Sequence, residues 1–297
     1  MVKIDYPALK PRSYLNTYLK FPLNNFLLSG ADVSFCEDLT FLHTDKEKGA
    51  YVEVRINGKR ALIDMQDGPK EYFGVIYEPK YKAYEPEKLN MPIFKINVRP
   101  DMEYADNIFP YGPYQVWHNK DTKDLEKFLS YGNTYNPFDS NSIINTTSHA
   151  YEGTRAKAYA KLDYSKIYPE INFIRERVSQ YKHWDRLGNS LGVLNISGSS
   201  ANVVDKAPIE AMWQGICVIH NDIDILLPYG KALVKNEHYI CLKDDYSDIN
   251  EKINFLFDNR EKAKEMGTRA RELMLSTSTP ESRTNWMVEV VENFNYK

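Results

Sequence analysis

Hydrophobic and polar positions divide the chain into two parts of different rhythm. In the first, alternation dominates. Residues 50–56 put Val52, Val54 and Ile56 on one face, Asn57-Gly58 follows, and 61–65 form a second apolar run. Asn-Gly between two such runs predicts a β-hairpin, because both residues accept the positive φ of a type I′ turn. Residues 32–35, 73–77 and 92–98 read as further strands. Residues 1–30 carry no clear period, and 14–28 read as a short helix broken by Pro22. The turn cluster Pro110-Tyr111-Gly112-Pro113 closes this strand-rich part.

From residue 121 onward, helical spacing alternates with short apolar runs. The pattern predicts helices over 121–131, 153–162, 171–184, 207–214, 247–257, 259–275 and 280–294. It predicts strands over 142–145, 191–196, 216–219 and 239–242. Within 171–184, Phe173, Ile174, Val178 and Tyr181 fall near helical spacing. Residues 133–142 are polar and read as a linker. Gly215 is a helix stop. The run Ile216-Cys217-Val218-Ile219 has the continuous apolar character of a parallel strand covered on both faces. Strand and helix in alternation imply right-handed crossovers and a doubly wound sheet, an α/β fold.

The 297 residues exceed a typical domain of about 100–200 and suffice for a large core without disulfides or metals. Lys and Arg total 38 against 41 Asp and Glu, a net charge of −3, so no global cationic field draws nucleic acid or an anionic membrane. DNA as a partner would need a local basic groove around Arg55, Lys59, Arg60 and Lys95. The three cysteines, Cys36, Cys217 and Cys241, cannot all pair within the chain and show no metal spacing, which points to a reducing, cytoplasmic setting. No run approaches the ~18 apolar residues of a membrane span. The first residues, with Asp5, two prolines and Arg12, do not read as a signal peptide.

The stretch from Leu194 to Asp222 carries the chemistry. A strand ends at Ile196 and releases the chain into Ser197-Gly198-Ser199-Ser200, ahead of a helix opening near Pro208, a favoured first-turn residue. Glu210 falls in that first turn, where free backbone N–H groups and the helix dipole also point. A ligand with a diphosphate and a ribose uses both features. Its phosphates meet Lys206 and the amides of the loop around Ser199, and its ribose hydroxyls donate to the Glu210 carboxylate. Upstream, Gly153-Thr154-Arg155 opens another helix. Gly153 permits close backbone approach, and Arg155 offers a bidentate grip on phosphate.

Lys206-Ala207-Pro208-Ile209-Glu210-Ala211-Met212-Trp213-Gln214-Gly215-Ile216-Cys217-Val218-Ile219 resembles the P-x-E-A-M-x-x-G-x-P-V-I signature of nucleotide-sugar glycosyltransferases of the GT-B fold, group 1 type. The run Asn259 to Arg271 is similar to that family's N-R-x-x-A-x-x-M-G-x-x-A-R segment. The helix around Trp286 resembles one that often crosses back to the first lobe. Ile216-Cys217 stands where the family has a proline, and 197–202 where it has a glutamate-glycine run. The resemblance implies two Rossmann-like lobes with a cleft between them. An acceptor lobe would cover 1–138 and a donor lobe 139–297. The activity it implies is sugar transfer from a nucleotide-sugar co-substrate, by default a UDP-sugar, with Glu210 on the ribose. It implies no metal and no resident cofactor, because an Arg/Lys pair, here Arg155 and Lys206, stabilises the leaving diphosphate with the helix N-termini.

Inverting transfer needs a carboxylate or histidine to take the acceptor's proton. Asp32, Asp64 and Asp67 are candidates by position, although Asp64 and Asp67 also suit plain turn hydrogen bonding. Asp222-Ile223-Asp224 mimics a metal-binding carboxylate pair but reads as the loop after a strand. His220 reads as a strand-rim residue with its hydrogen bonds filled. The acceptor stays open between a glycan, a lipid-linked precursor, a small molecule and a modified base of viral DNA. Two other readings stand beside transfer: a nucleotide-sugar 2-epimerase, and a module that binds a nucleotide sugar or a protein without turnover.

Overall fold

A computed structural model describes residues 1–8, 17–39, 41–43, 50–65, 89–113, 122–132, 135–146, 153–175, 178–197 and 206–296. The chain forms two compact units. Unit one comprises Met1–Thr122, Ile225–Ala232 and Ser276–Lys297, and unit two comprises Lys123–Asp224 and Leu233–Leu275. The division is thus not a single cut in the chain, and the C-terminal residues belong with the first unit.

Unit one holds β1 (Lys3–Pro7), α1 (Thr17–Leu28), β2 (Asp32–Cys36), β3 (Phe41–His43), β4 (Ala50–Ile56), β5 (Lys59–Asp64), β6 (Ile93–Lys95) and β7 (Ile108–Pro110). The strands make one mixed sheet in the order β2-β1-β4-β5-β6-β7, with β3 on β4. The pairs β1–β2, β5–β6 and β6–β7 are parallel, while β4 runs antiparallel to β1, β3 and β5. The hairpin falls where the alternation puts it. Ile56 pairs with Lys59, and Asn57 and Gly58 take φ of 51° and 83°. Val52, Val54 and Ile56 enter a core with Tyr6, Phe26 and Phe94. Burial of each such side chain stabilises by about 1.5–3 kcal/mol. Pro22 lies inside α1 and does not break it; burial of Phe21, Leu23 and Phe26 offsets the hydrogen bond it removes. The predicted strand at 73–77 lies outside the described residues.

Unit two holds α2 (Thr122–Tyr131), which begins at the last residue of unit one, then β8 (Ser142–Asn145), α3 (Gly153–Lys161), β9 (Asn172–Ile174), α4 (Gln180–Gly188), β10 (Gly192–Leu194), α5 (Lys206–Trp213), β11 (Val218–His220), β12 (Ile240–Cys241), α6 (Ile249–Asp258) and α7 (Arg260–Ser278), whose last turn passes into unit one. Its sheet has the order β12-β11-β10-β8-β9, and every pair is parallel. Numbered within the unit this is 2-1-3-4-5, a doubly wound order that reverses between β8 and β10. The chain is therefore an α/β protein with two sheets.

One expectation fails here. Residues 171–184 are not one helix: Phe173 and Ile174 lie in β9, paired with Ile143 and Ile144, and α4 starts at Gln180. An edge strand of three residues is too short to display its own period, so the four apolar positions mimic helical spacing. Leu194, Ile219, Ile253, Leu256 and Met266 build the core on one face of the sheet. Gly215 ends α5 with φ of 78°. Gly267 of α7 lies so close to it that a Cβ at Gly267 would fall 1.9 Å from the Gly215 carbonyl oxygen.

The chain returns to unit one as α8 (Pro280–Asn293), capped by Thr279, whose side chain accepts from the Ser282 amide. Met287 and Val291 join the unit-one core. Trp286 Nε1 donates to the Pro110 carbonyl at 2.9 Å, and the buried Arg283 donates to the carbonyls of Ser278 and Pro113. Among the described residues no helix is long and apolar enough to cross a membrane.

Candidate functional site

Doubly wound sheets bind ligands outside the carboxyl ends of their strands, where the order reverses. In unit two that place lies between β8 and β10. Three apolar runs end there in asparagine: Ile143-Ile144-Asn145, Val193-Leu194-Asn195 and, one strand further, Ile219-His220-Asn221. All three asparagines are buried. The Thr146 amide donates to the Leu194 carbonyl at 3.0 Å, and Asn195 Nδ2 donates to Thr146 Oγ1 at 2.7 Å. The Ser197 amide donates to Asn221 Oδ1 at 2.9 Å, and Tyr159 donates to Asn145 Oδ1 at 3.3 Å. Arg155, in the first turn of α3, anchors its Nε on the Ile196 carbonyl at 3.1 Å. Gly153 opens that helix with φ of 80°, a conformation that side chains resist. The edge is thus a polar rim set by hydrogen bonds from one strand end to the next.

His220 departs from the sequence expectation of a rim residue with filled hydrogen bonds. It is fully buried, and burial pushes its pKa down to about 4, so the ring is neutral near pH 7. Nδ1 lies 2.8 Å from the Asn221 carbonyl oxygen, which can only accept, so Nδ1 carries the proton. Nε2 has no hydrogen-bond partner among the described residues.

Helix α5 opens at Lys206, ahead of Pro208, so Glu210 stands in its second turn and not its first. The helix N-terminus therefore does not account for its charge. Instead α4 and α5 clamp it. Glu210 is 2% exposed, and its Oε1 accepts from Gln180 Nε2 at 2.8 Å and Trp184 Nε1 at 3.2 Å. Lys206 Nζ lies 3.3 Å from the same oxygen and also donates to Gln180 Oε1 at 2.9 Å. His183 Nε2 lies 3.4 Å from Oε2. Burial by itself would raise the carboxyl pKa; His183, Lys206 and Trp184 outweigh it and hold the group below the usual carboxylate range. The sequence pattern singled out Glu210 and Lys206 but missed Gln180, His183 and Trp184. It also missed the asparagines, whose signal was the repeated apolar run closing on Asn.

The candidate bases of unit one fare differently. Asp64, at the end of β5, lies beside Lys95 at the end of β6, with 3.3 Å between Oδ2 and Nζ and both side chains 0% exposed. The position expected to face an acceptor is a buried ion pair. Asp32 opens the edge strand β2 with an exposed side chain. Asp67 and Ser199 lie outside the described residues. Each of the four candidates for a DNA-binding groove has a carboxylate partner. Arg55 pairs with Asp38, Lys59 with Glu292 at 2.9 Å, Arg60 with Glu53 and Lys95 with Asp64. Asp222 takes hydrogen bonds from Tyr239 and Lys235, as a loop residue does. Among the described residues no group of three or more His, Cys, Asp or Glu could hold a metal ion.

No family model matches the chain, and no curated protein matches it. Among solved structures it is similar to a point mutant of TarM from S. aureus, crystallised in complex with fondaparinux, alpha-GlcNAc-glycerol and UDP. The identity is 15% and the TM-score 0.48; the match covers 82% of this chain and 62% of that one. The chain thus spans under two thirds of that protein's length, and the likeness assigns no residue role here.

Proposed function

We propose that the chain is a glycosyltransferase whose second unit binds a nucleotide-sugar donor, by default a UDP-sugar, at the carboxyl edge of its parallel sheet. The observation that carries this reading is the pairing of that edge with α5. The helix bearing Pro208, Glu210, Ala211, Met212 and Gly215 follows the strand beside the point of reversal, and its buried glutamate is held ionised. In the proposed reaction the bond between the sugar's anomeric carbon and the diphosphate breaks, and the diphosphate leaves with the electron pair. The acceptor oxygen bonds to the anomeric carbon, and its proton passes to a carboxylate base or, in a retaining reaction, to the departing diphosphate. Arg155 and Lys206 stabilise the charge gathering on the diphosphate, so no metal is required. The acceptor is a glycan, a lipid-linked precursor or a small molecule. The pairing of Arg55, Lys59, Arg60 and Lys95 with carboxylates counts against DNA.

A second reading, binding without turnover, draws on one observation: Asp64 is sealed against Lys95 and does not present a base to an acceptor. A thermal-shift screen of UDP, GDP, ADP, CMP and their sugars tests the donor site, since a ligand of the native state raises the midpoint by mass action. A shift with one nucleotide, lost in Glu210→Ala, is the expected result. No shift with any nucleotide overturns the donor site. Product analysis then separates transfer, epimerisation without acceptor, and binding alone.

A further inference from the structure

We infer that Asn195 and His220 read a neutral, hydrogen-bond-donating group of the ligand, a sugar hydroxyl or a base N–H, at a place distinct from the phosphate contacts. The inference rests on the donor-site reading of this edge. The register Val193↔Val218 and Leu194↔Ile219 puts the two residues side by side, and the Asn195 amide donates to the Ile219 carbonyl at 3.0 Å. Parallel partners share a face, so both side chains stand on the face opposite Leu194 and Ile219. Both residues are at most 1% exposed. Asn195 spends its amide nitrogen on Thr146, and His220 spends its Nδ1 proton on the Asn221 carbonyl. What remains is Asn195 Oδ1 and His220 Nε2, two acceptors with no hydrogen-bond partner among the described residues.

A buried acceptor left unmade loses its hydration and gains nothing, and an apolar side chain at either position would avoid that cost. Two such acceptors in register, at the end of the sheet where this topology binds ligands, define a site that a ligand completes. Their lone pairs repel a phosphate, so phosphate falls to a cation such as Arg155. A hydroxyl or N–H hydrogen satisfies both acceptors.

The test compares wild type with His220→Leu and Asn195→Leu. Midpoints of unfolding are measured without ligand, and Kd values are measured for UDP, UDP-glucose, UDP-N-acetylglucosamine and GDP-mannose. Both variants should unfold no earlier than wild type, while binding weakens by about tenfold or more, as when a polar partner loses its mate. A loss confined to the sugar-bearing ligands assigns the donor to a hydroxyl of the transferred sugar; an equal loss with UDP assigns it to the nucleoside, its base N–H or a ribose hydroxyl. In wild type labelled with ¹⁵N-histidine, the His220 Nε2 resonance should move upfield on saturation, a readout independent of how the variants fold. An unmoved resonance at saturation, unchanged Kd values, or midpoints several degrees lower in both variants overturn the inference alone. A wild type that binds none of the four ligands overturns the donor site itself, and the inference with it.

Discussion

Asp64 and Glu210 are both buried carboxylates paired with lysine, and the sequence points to both for chemistry. Asp64 pairs with Lys95, and neither side chain reaches solvent. Glu210 meets two side chains that do: His183 is 21% exposed and Lys206 33%. In a dry pair, removing one partner strands the other's charge away from water. In a clamp whose partners open to solvent, a ligand can exchange for part of the clamp without stranding a bare charge. The difference is one of access: Asp64 and its partner are closed to solvent, while the partners of Glu210 are not.

The sharpest way to break that contrast is Asp64→Asn. It leaves the Lys95 charge in a dry site and should cost about 3–5 kcal/mol, read by denaturant unfolding. Asp64→Leu combined with Lys95→Met should recover much of the loss; a cost below about 1 kcal/mol for Asp64→Asn would mean that the pair is hydrated and the contrast false. Glu210→Gln comes next. It keeps a hydrogen-bonding oxygen and leaves partners that reach water, so about 1–3 kcal/mol is expected, together with loss of the nucleotide-induced shift. A variant as stable as wild type that still shifts with nucleotide would remove Glu210 from the site.

Acid sharpens the same point. The folded Glu210 carboxyl titrates below its ordinary value, so its contribution is fully present above the usual carboxylate range. It is lost as pH falls through the folded value. Unfolding midpoints of wild type should therefore fall more steeply on acidification than those of Glu210→Gln, and parallel curves would contradict the clamp. His220 adds a limb of the same sign, because its depressed pKa makes stability fall as pH drops from about 6.5 towards 4; His220→Leu should flatten that limb. The smallest effect is expected for Lys206→Ala, whose half-open ammonium is worth less than about 1 kcal/mol to folding. On the proposed donor site, the same change should weaken nucleotide binding and lessen its salt dependence, since one charge proposed to meet the phosphates is gone.

Local patterns along the chain foretell a good share of the fold. Val52, Val54, Ile56 and Asn57-Gly58 mark the hairpin because alternation and the turn's positive φ lie within a few residues of each other. Ser142–Asn145 and the helix ending at Gly215 are equally local. Where the local signal was short it misled: β1 shows no alternation long enough to see, and β9 passes for helix until β8 pairs with it. At the candidate site, the residues around Glu210 were legible through their resemblance to a known signature, and Arg155 through its place after a strand.

What the sequence by itself determined, then, is the place of the strongly patterned elements, the hairpin and the longer helices, and which polar residues stand near their ends. The tertiary structure alone decided what those polar residues do. Gln180 reaches Glu210 across 30 positions of sequence and Lys95 reaches Asp64 across 31, while Asn195 and His220 become neighbours only through strand register. Backbone conformation is governed by neighbours along the chain. The fate of a buried charge or lone pair is governed by whatever the fold brings within about 3 Å of it.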